Sequence, residues 1–151
     1  MNVDVWMTRP AITIPADVPA SLALRKMMEH EIRRLPVVDE DDQLIGLITD
    51  RDLRAALPPH GIPRQDEEYR PSPDDPPVSR LMRRSVTVVA PTDNLRTAVY
   101  RMHDQRITGL PVCEGRHVVG VITVQDLLEV LLVAMDRLGG DALQEPHEVS
   151  S

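Results

Sequence analysis

Gly46-Leu47-Ile48-Thr49-Asp50-Arg51-Asp52-Leu53 and Gly120-Val121-Ile122-Thr123-Val124-Gln125-Asp126-Leu127 are two copies of one phrase, 74 residues apart. Each is an apolar, β-branched run that turns polar at a threonine and resumes with helix-forming residues. That pattern describes a strand feeding directly into a helix. Thr-x-x-Asp at the junction suits a capping box, with threonine as N-cap and the carboxylate at the third helical position.

The correspondence extends outward from this phrase. Leu35-Pro36-Val37 falls on Leu110-Pro111-Val112 at an offset of 75, as do Met7 on Met82, Arg9 on Arg84, Ala23 on Ala98 and Met27 on Met102. One residue is lost in a polar turn, Asp39–Gln43 in the first copy and Glu114–His117 in the second. Each copy predicts the order β-α-β-β-α. The elements are a short β run (Ala11–Ile14, Val86–Val89), a helix entered from Asp17 or Thr92 over 19–30 or 94–105, a hairpin through the Leu-Pro-Val strand, and a closing helix from Thr49 or Thr123. The fold class is α/β (α+β): two repeats packed sheet-to-sheet with pseudo-twofold symmetry, because one unit alone would leave a sheet face exposed. The expected organisation is a first repeat over 1–57, a linker over 58–77, a second repeat over 78–138 and a polar tail over 139–151.

The linker holds half of the 14 prolines and several carboxylates, and reads as exposed chain. The net charge is −7, and most of it lies in the linker and the tail. A polyanionic partner is therefore not favoured, and 2% aromatic residues give no platform for stacking bases. No apolar run is long enough to cross a membrane, and nothing at the N-terminus reads as a signal peptide. A single cysteine, Cys113, fits a cytoplasmic setting and a small buried hydrophobe. The five histidines have no metal-ligand spacing, and His30 and His103 read as surface residues. The run Asp39–Asp42 reads as a solvated turn, since its counterpart is not acidic, and Arg80, Arg83 and Arg84 read as a solvated face. No phosphate loop or nucleophile motif is present, so no enzyme is expected. The helix after Thr123 is apolar around most of its circumference, which predicts a homodimer.

The repeated Leu-Pro-Val strand and the Gly-x-Ile-Thr-x-x-Asp-Leu ending resemble tandem CBS domains, a pair of which forms a Bateman module. The resemblance covers both copies, leaving out the linker and tail. It implies clefts between the repeats that take an adenosyl effector such as AMP, ADP, ATP or S-adenosylmethionine, with no obligatory cofactor, and a role in regulating an unidentified partner protein. It implies that Asp52 and Asp126 hold ribose hydroxyls, that Thr49 and Thr123 approach phosphate, and that main chain at Ile32–Arg34 and Ile107–Gly109 contacts adenine. The copies differ in charge: Arg33, Arg34 and Arg51 face Thr108, Gly109 and Gln125. These three arginines are candidate phosphate contacts, grouped by copy with Asp52. The alternative is an interaction or dimerisation module in which Thr-x-x-Asp is a cap only.

Overall fold

The computed structural model describes residues 1–139. In chain order the elements are α1 (Val3–Trp6), β1 (Ile14–Pro15), α2 (Ala20–His30), β2 (Arg34–Val38), β3 (Leu44–Thr49), α3 (Asp50–Ala56), α4 (Leu95–Gln105), β4 (Gly109–Glu114), β5 (His117–Thr123) and α5 (Val124–Leu138). Short 3-10 turns lie at Pro59–Gly61, inside the linker, and at Val78–Arg80, directly after it. The hairpins β2-β3 and β4-β5 are antiparallel and share one register, with Pro36 opposite Leu47 and Pro111 opposite Val121.

Two details depart from the expected elements. The opening β run shrinks to Ile14–Pro15, parallel to Val37–Val38, and in the second copy to a single bridge from Val89 to Val112. The helices start later than Asp17 and Thr92. Pro19 and Asn94 are their N-caps, and the Asn94 side chain accepts from the Arg96 N–H. Asp17 is exposed, while Asp93 accepts the Ala90 N–H and so closes the turn ahead of α4.

The arrangement of the two cores was not legible as a pattern. The first core gathers Ile14, Leu24, Met27, Leu35, Ile48 and Leu53 but also Val78 and Met82. The second gathers Val89, Leu95, Met102, Leu110 and Ile122 but also Val3 and Met7. Each repeat thus lends its opening segment to the other. The main-chain contacts of this exchange come in symmetry-related pairs. The Val3 N–H donates to Asp93 O and the Val78 N–H to Val18 O, both at 2.9 Å. Thr8 pairs with Val121 as Arg83 pairs with Leu47. A side chain on Gly120 would strike Met7 and the Thr8 carbonyl, and one on Gly46 would strike Met82 and the Arg83 carbonyl. Glycine at these two strand positions is what lets the exchanged segments lie against the sheets. On the far side of the molecule, Leu44 N–H donates to Arg116 O at 2.8 Å and joins the two hairpins.

The linker is mostly exposed, but it does not leave the surface. Ile62 packs against the first core and Pro63 is buried. At its far end, Asp75 accepts from the backbone N–H and the hydroxyl of Ser21. It thereby caps the start of α2, whose own N-cap, Pro19, has no side chain able to do so.

Candidate functional site

Both Thr-x-x-Asp phrases form complete capping boxes. In the first, Thr49 N–H donates to Asp52 Oδ2 at 3.3 Å and Asp52 N–H donates to Thr49 Oγ1 at 3.2 Å. In the second, Thr123 N–H donates to Asp126 Oδ2 at 2.8 Å, and Asp126 N–H to Thr123 Oγ1 at 3.3 Å. The second box carries more. The Thr123 hydroxyl also donates to Asp126 Oδ2, and the Thr8 hydroxyl, from the exchanged segment, donates to Asp126 Oδ1 at 3.1 Å. Asp126 is 9% exposed, the one charged side chain buried among the described residues. An ionised carboxylate can accept about four hydrogen bonds, so Asp126 keeps one lone-pair direction open on Oδ1. Asp52 has no counterpart of Thr8, because Arg83 occupies that place, and its Oδ1 has no protein partner among the described residues.

A cleft of about 720 Å³ opens beside the second box. Its walls are Thr8 and Pro10–Ile12 from the segment entering β1, Glu31–Arg34 from the turn before β2, Thr108, Val121, and Thr123–Asp126 with Glu129 from the start of α5. Residues far apart in the chain meet here because the exchange brings repeat 1's opening segment onto β5. The volume lies within the range of small-molecule sites, and the lining combines an apolar side (Pro10, Ala11, Ile12, Ile32) with a few convergent polar groups. The 15-residue α5 directs its N-terminal dipole end toward this space.

Thr123, Asp126, Ile32, Arg33, Arg34 and Thr108 all line this cleft. Thr49, Asp52, Arg51, Ile107 and Gly109 do not. Thr49 and Asp52 head the pseudo-equivalent position. Arg51 is exposed on the first turn of α3, Ile107 packs against the second core, and Gly109 is buried at the start of β4. This cleft joins both repeats around a capping box. The expected grouping with Asp52 is therefore corrected: Arg34 groups with the Asp126 cleft, since its side chain reaches across to Thr108, whereas Arg33 lines both that cleft and a smaller cavity beside Asp50 and Arg54. Sequence reasoning also missed Thr8, Pro10, Ala11 and Ile12. Nothing in their own pattern marks them, and only the exchange of opening segments places them.

The Arg34 guanidinium donates to the Thr108 hydroxyl. No carboxylate forms an ion pair with it among the described residues, and burial lowers its pKa from the ordinary guanidinium value. Burial also raises the pKa of the Cys113 thiol, which is buried on β4 and borders a cavity with Leu44, Arg84 and Arg116. His30, His60, His103 and His117 are exposed, and His147 lies outside the described residues. Asp39 caps its own hairpin turn by accepting from the N–H groups of Asp41 and Gln43. No helix among the described residues is long and apolar enough to cross a membrane.

Comparison with known proteins agrees with this construction. The family model of the CBS domain matches residues 3–59 and 78–133, one copy on each repeat. A CBS domain-containing protein of Dictyostelium discoideum is 31% identical over 131 residues, covering 86% of this chain and 90% of that one. The inosine-5'-monophosphate dehydrogenase of Aquifex aeolicus is 32% identical over 121 residues, 78% of this chain but only 22% of the enzyme. Among solved structures, the CBS domain pair of protein MJ0100, in complex with 5'-methylthioadenosine and S-adenosyl-L-methionine, superposes with a TM-score of 0.72 at 25% identity. That match covers 87% of this chain and 99% of that one. Two family matches in register, on repeats that exchange their opening segments around a shared cleft, establish that the chain belongs to the CBS domain family, as a tandem pair.

Proposed function

We propose that this chain is a non-catalytic regulatory module that binds an adenosyl ligand in the Thr123–Asp126 cleft and transmits its occupancy to a partner protein. The observation that supports it is the convergence, in one open cleft, of a buried carboxylate, a helix N-terminus, an apolar wall and two arginines from the other repeat. An adenine ring suits the apolar side near Ile12 and Ile32. A ribose diol can donate to the open face of Asp126 Oδ1, displacing or sharing the Thr8 hydroxyl. A phosphate or other polar tail then faces Thr123 and the arginines. The crystallised pair that binds 5'-methylthioadenosine and S-adenosyl-L-methionine supports the adenosyl class. Thr49 and Asp52 offer a second, weaker position of the same type.

Thermal unfolding followed with AMP, ADP, ATP and S-adenosylmethionine tests the reading. A ligand at 100 times its Kd should add about 2.7 kcal/mol of stability. Asp126→Asn should lower affinity by about 10- to 100-fold, as expected for loss of hydrogen bonds to a charged acceptor. Asp52→Asn should lower it by less. One observation favours a second reading, a dimerisation module without ligand: both carboxylates already complete capping boxes. No stabilisation by any adenosyl compound at millimolar concentration would select that reading.

Self-association belongs to the same proposal. Leu128, Leu131 and Leu132 are all exposed on α5, and a second copy packed helix against helix would cover them.

A further inference from the structure

We propose that the cavity where the two hairpins join, with Arg84 and Arg116 over an apolar floor, is a second binding site, and that it takes a small organic anion: a carboxylate carrying a short hydrocarbon body. It shares no lining residue with the Asp126 cleft, so the inference does not depend on the adenosyl reading.

The cavity holds about 400 Å³, which is within the range of small-molecule sites. Three stretches of chain meet around it. Ile45 comes from the start of β3, Arg84, Val86 and Val88 from the opening segment of repeat 2, and Cys113 and Arg116 from the end of β4 and the turn after it. Main-chain bonds hold these stretches in place. Leu44 N–H donates to Arg116 O at 2.8 Å, and Gln43 bridges to His117. Arg83, directly before Arg84, exchanges two bonds with Leu47, at 2.8 and 2.9 Å. The arginines therefore project from a fixed backbone.

No carboxylate lines the cavity, although the chain carries a net charge of −7. Neither guanidinium forms an ion pair among the described residues. Arg116 uses one N–H on the Leu44 carbonyl, at a long 3.4 Å. The internal repeat shows that the fold does not require this charge. Arg9, the counterpart of Arg84, donates to the Asp4 carbonyl at 2.7 Å. The turn that matches Gly115-Arg116 is acidic, Glu40-Asp41-Asp42, and Val86 and Val88 match the smaller Ala11 and the polar Thr13. Repeat 2 alone thus combines an arginine pair with a branched apolar floor. A guanidinium meets a carboxylate with two parallel hydrogen bonds. The floor buries a hydrocarbon body and offers a bare inorganic anion nothing.

NMR titration of the full chain with hexanoate, 1-hexanol and inorganic phosphate tests this, since the alcohol lacks the charge and phosphate lacks the hydrocarbon. Hexanoate at millimolar concentration should shift the backbone signals of Ile45, Val86 and Arg116, and bind about tenfold more tightly than either of the others. Arg84→Gln and Arg116→Gln, both at exposed positions, should each weaken hexanoate by about tenfold without lowering Tm. Phosphate binding as tightly as hexanoate would overturn the role of the apolar floor, and 1-hexanol doing so would overturn that of the arginines. Hexanoate that shifts none of these signals, keeps its affinity in the double arginine variant, or competes with AMP would overturn the site. Hexanoate binding in a protein that takes no adenosyl compound would support this site and remove the adenosyl reading alone.

Discussion

The outer helical faces of the two repeats start from the same sequence pattern and end differently. In repeat 1 the closing helix α3 stops at Ala56. The chain turns at Leu57, and Ile62 and Pro63 fold back toward α2. Leu57 is 6% exposed and Leu24 is fully buried. In repeat 2 the closing helix α5 runs on to Leu138 and packs on β5 and α1. The counterparts of those two residues, Leu131 and Val99, are 48% and 42% exposed. The breaker is local. Pro58-Pro59 follows Leu57, and two prolines end a helix by removing backbone donors. Leu132-Val133 stand in that place in repeat 2, and the helix continues. Two units with the same core can thus differ in whether the chain covers its own apolar surface or leaves it for another molecule.

The largest expected contrast is between Leu57→Asp and Leu131→Asp. The first buries an unpaired carboxylate in the core and should cost more than about 3 kcal/mol in urea unfolding. The second should leave stability nearly unchanged yet convert a dimer of twice the chain mass into a monomer by light scattering. A Leu131→Asp protein that still dimerises would mean that α5 is not the contact. Next, Leu24→Ala should cost about 2–5 kcal/mol, whereas Val99→Ala at the matching position should cost less than about 1 kcal/mol. Equal losses at the two sites would show that repeat 2 also covers this face in solution.

Smaller effects separate the two boxes. Asp126→Asn should lower stability by about 1–2 kcal/mol, because Asp126 accepts from Thr123 and Thr8 and is buried; Asp52→Asn should lower it by about 0.5–1 kcal/mol, a cap alone. Denaturation midpoints of the two variants without ligand give this difference directly. The smallest effect concerns Cys113, whose counterpart is Val38, with both buried. Cys113→Val should change stability by less than about 1 kcal/mol. In the wild type a thiol reagent should label Cys113 only slowly at pH 7 to 8, since its raised pKa leaves little thiolate there. Rapid labelling of the folded protein would show that β4 opens locally.

The repeat, the order of elements, the hairpins and both capping boxes were legible in the sequence. They depend on local chemistry: strand alternation, the Thr-x-x-Asp spacing and the turn residues act within a few positions of one another. Thr49, Asp52, Thr123 and Asp126 could be singled out for the same reason. Only the tertiary structure decided which of them share a cleft with Arg33 and Arg34. That outcome depends on contacts more than 70 residues apart: the exchanged opening segments that bring Thr8 to Asp126, and the glycine that lets Arg34 cross to Thr108. A repeated sequence states what each copy contains. The side on which a flexible arginine comes to rest is set by packing at the axis, where the two copies cease to be equivalent.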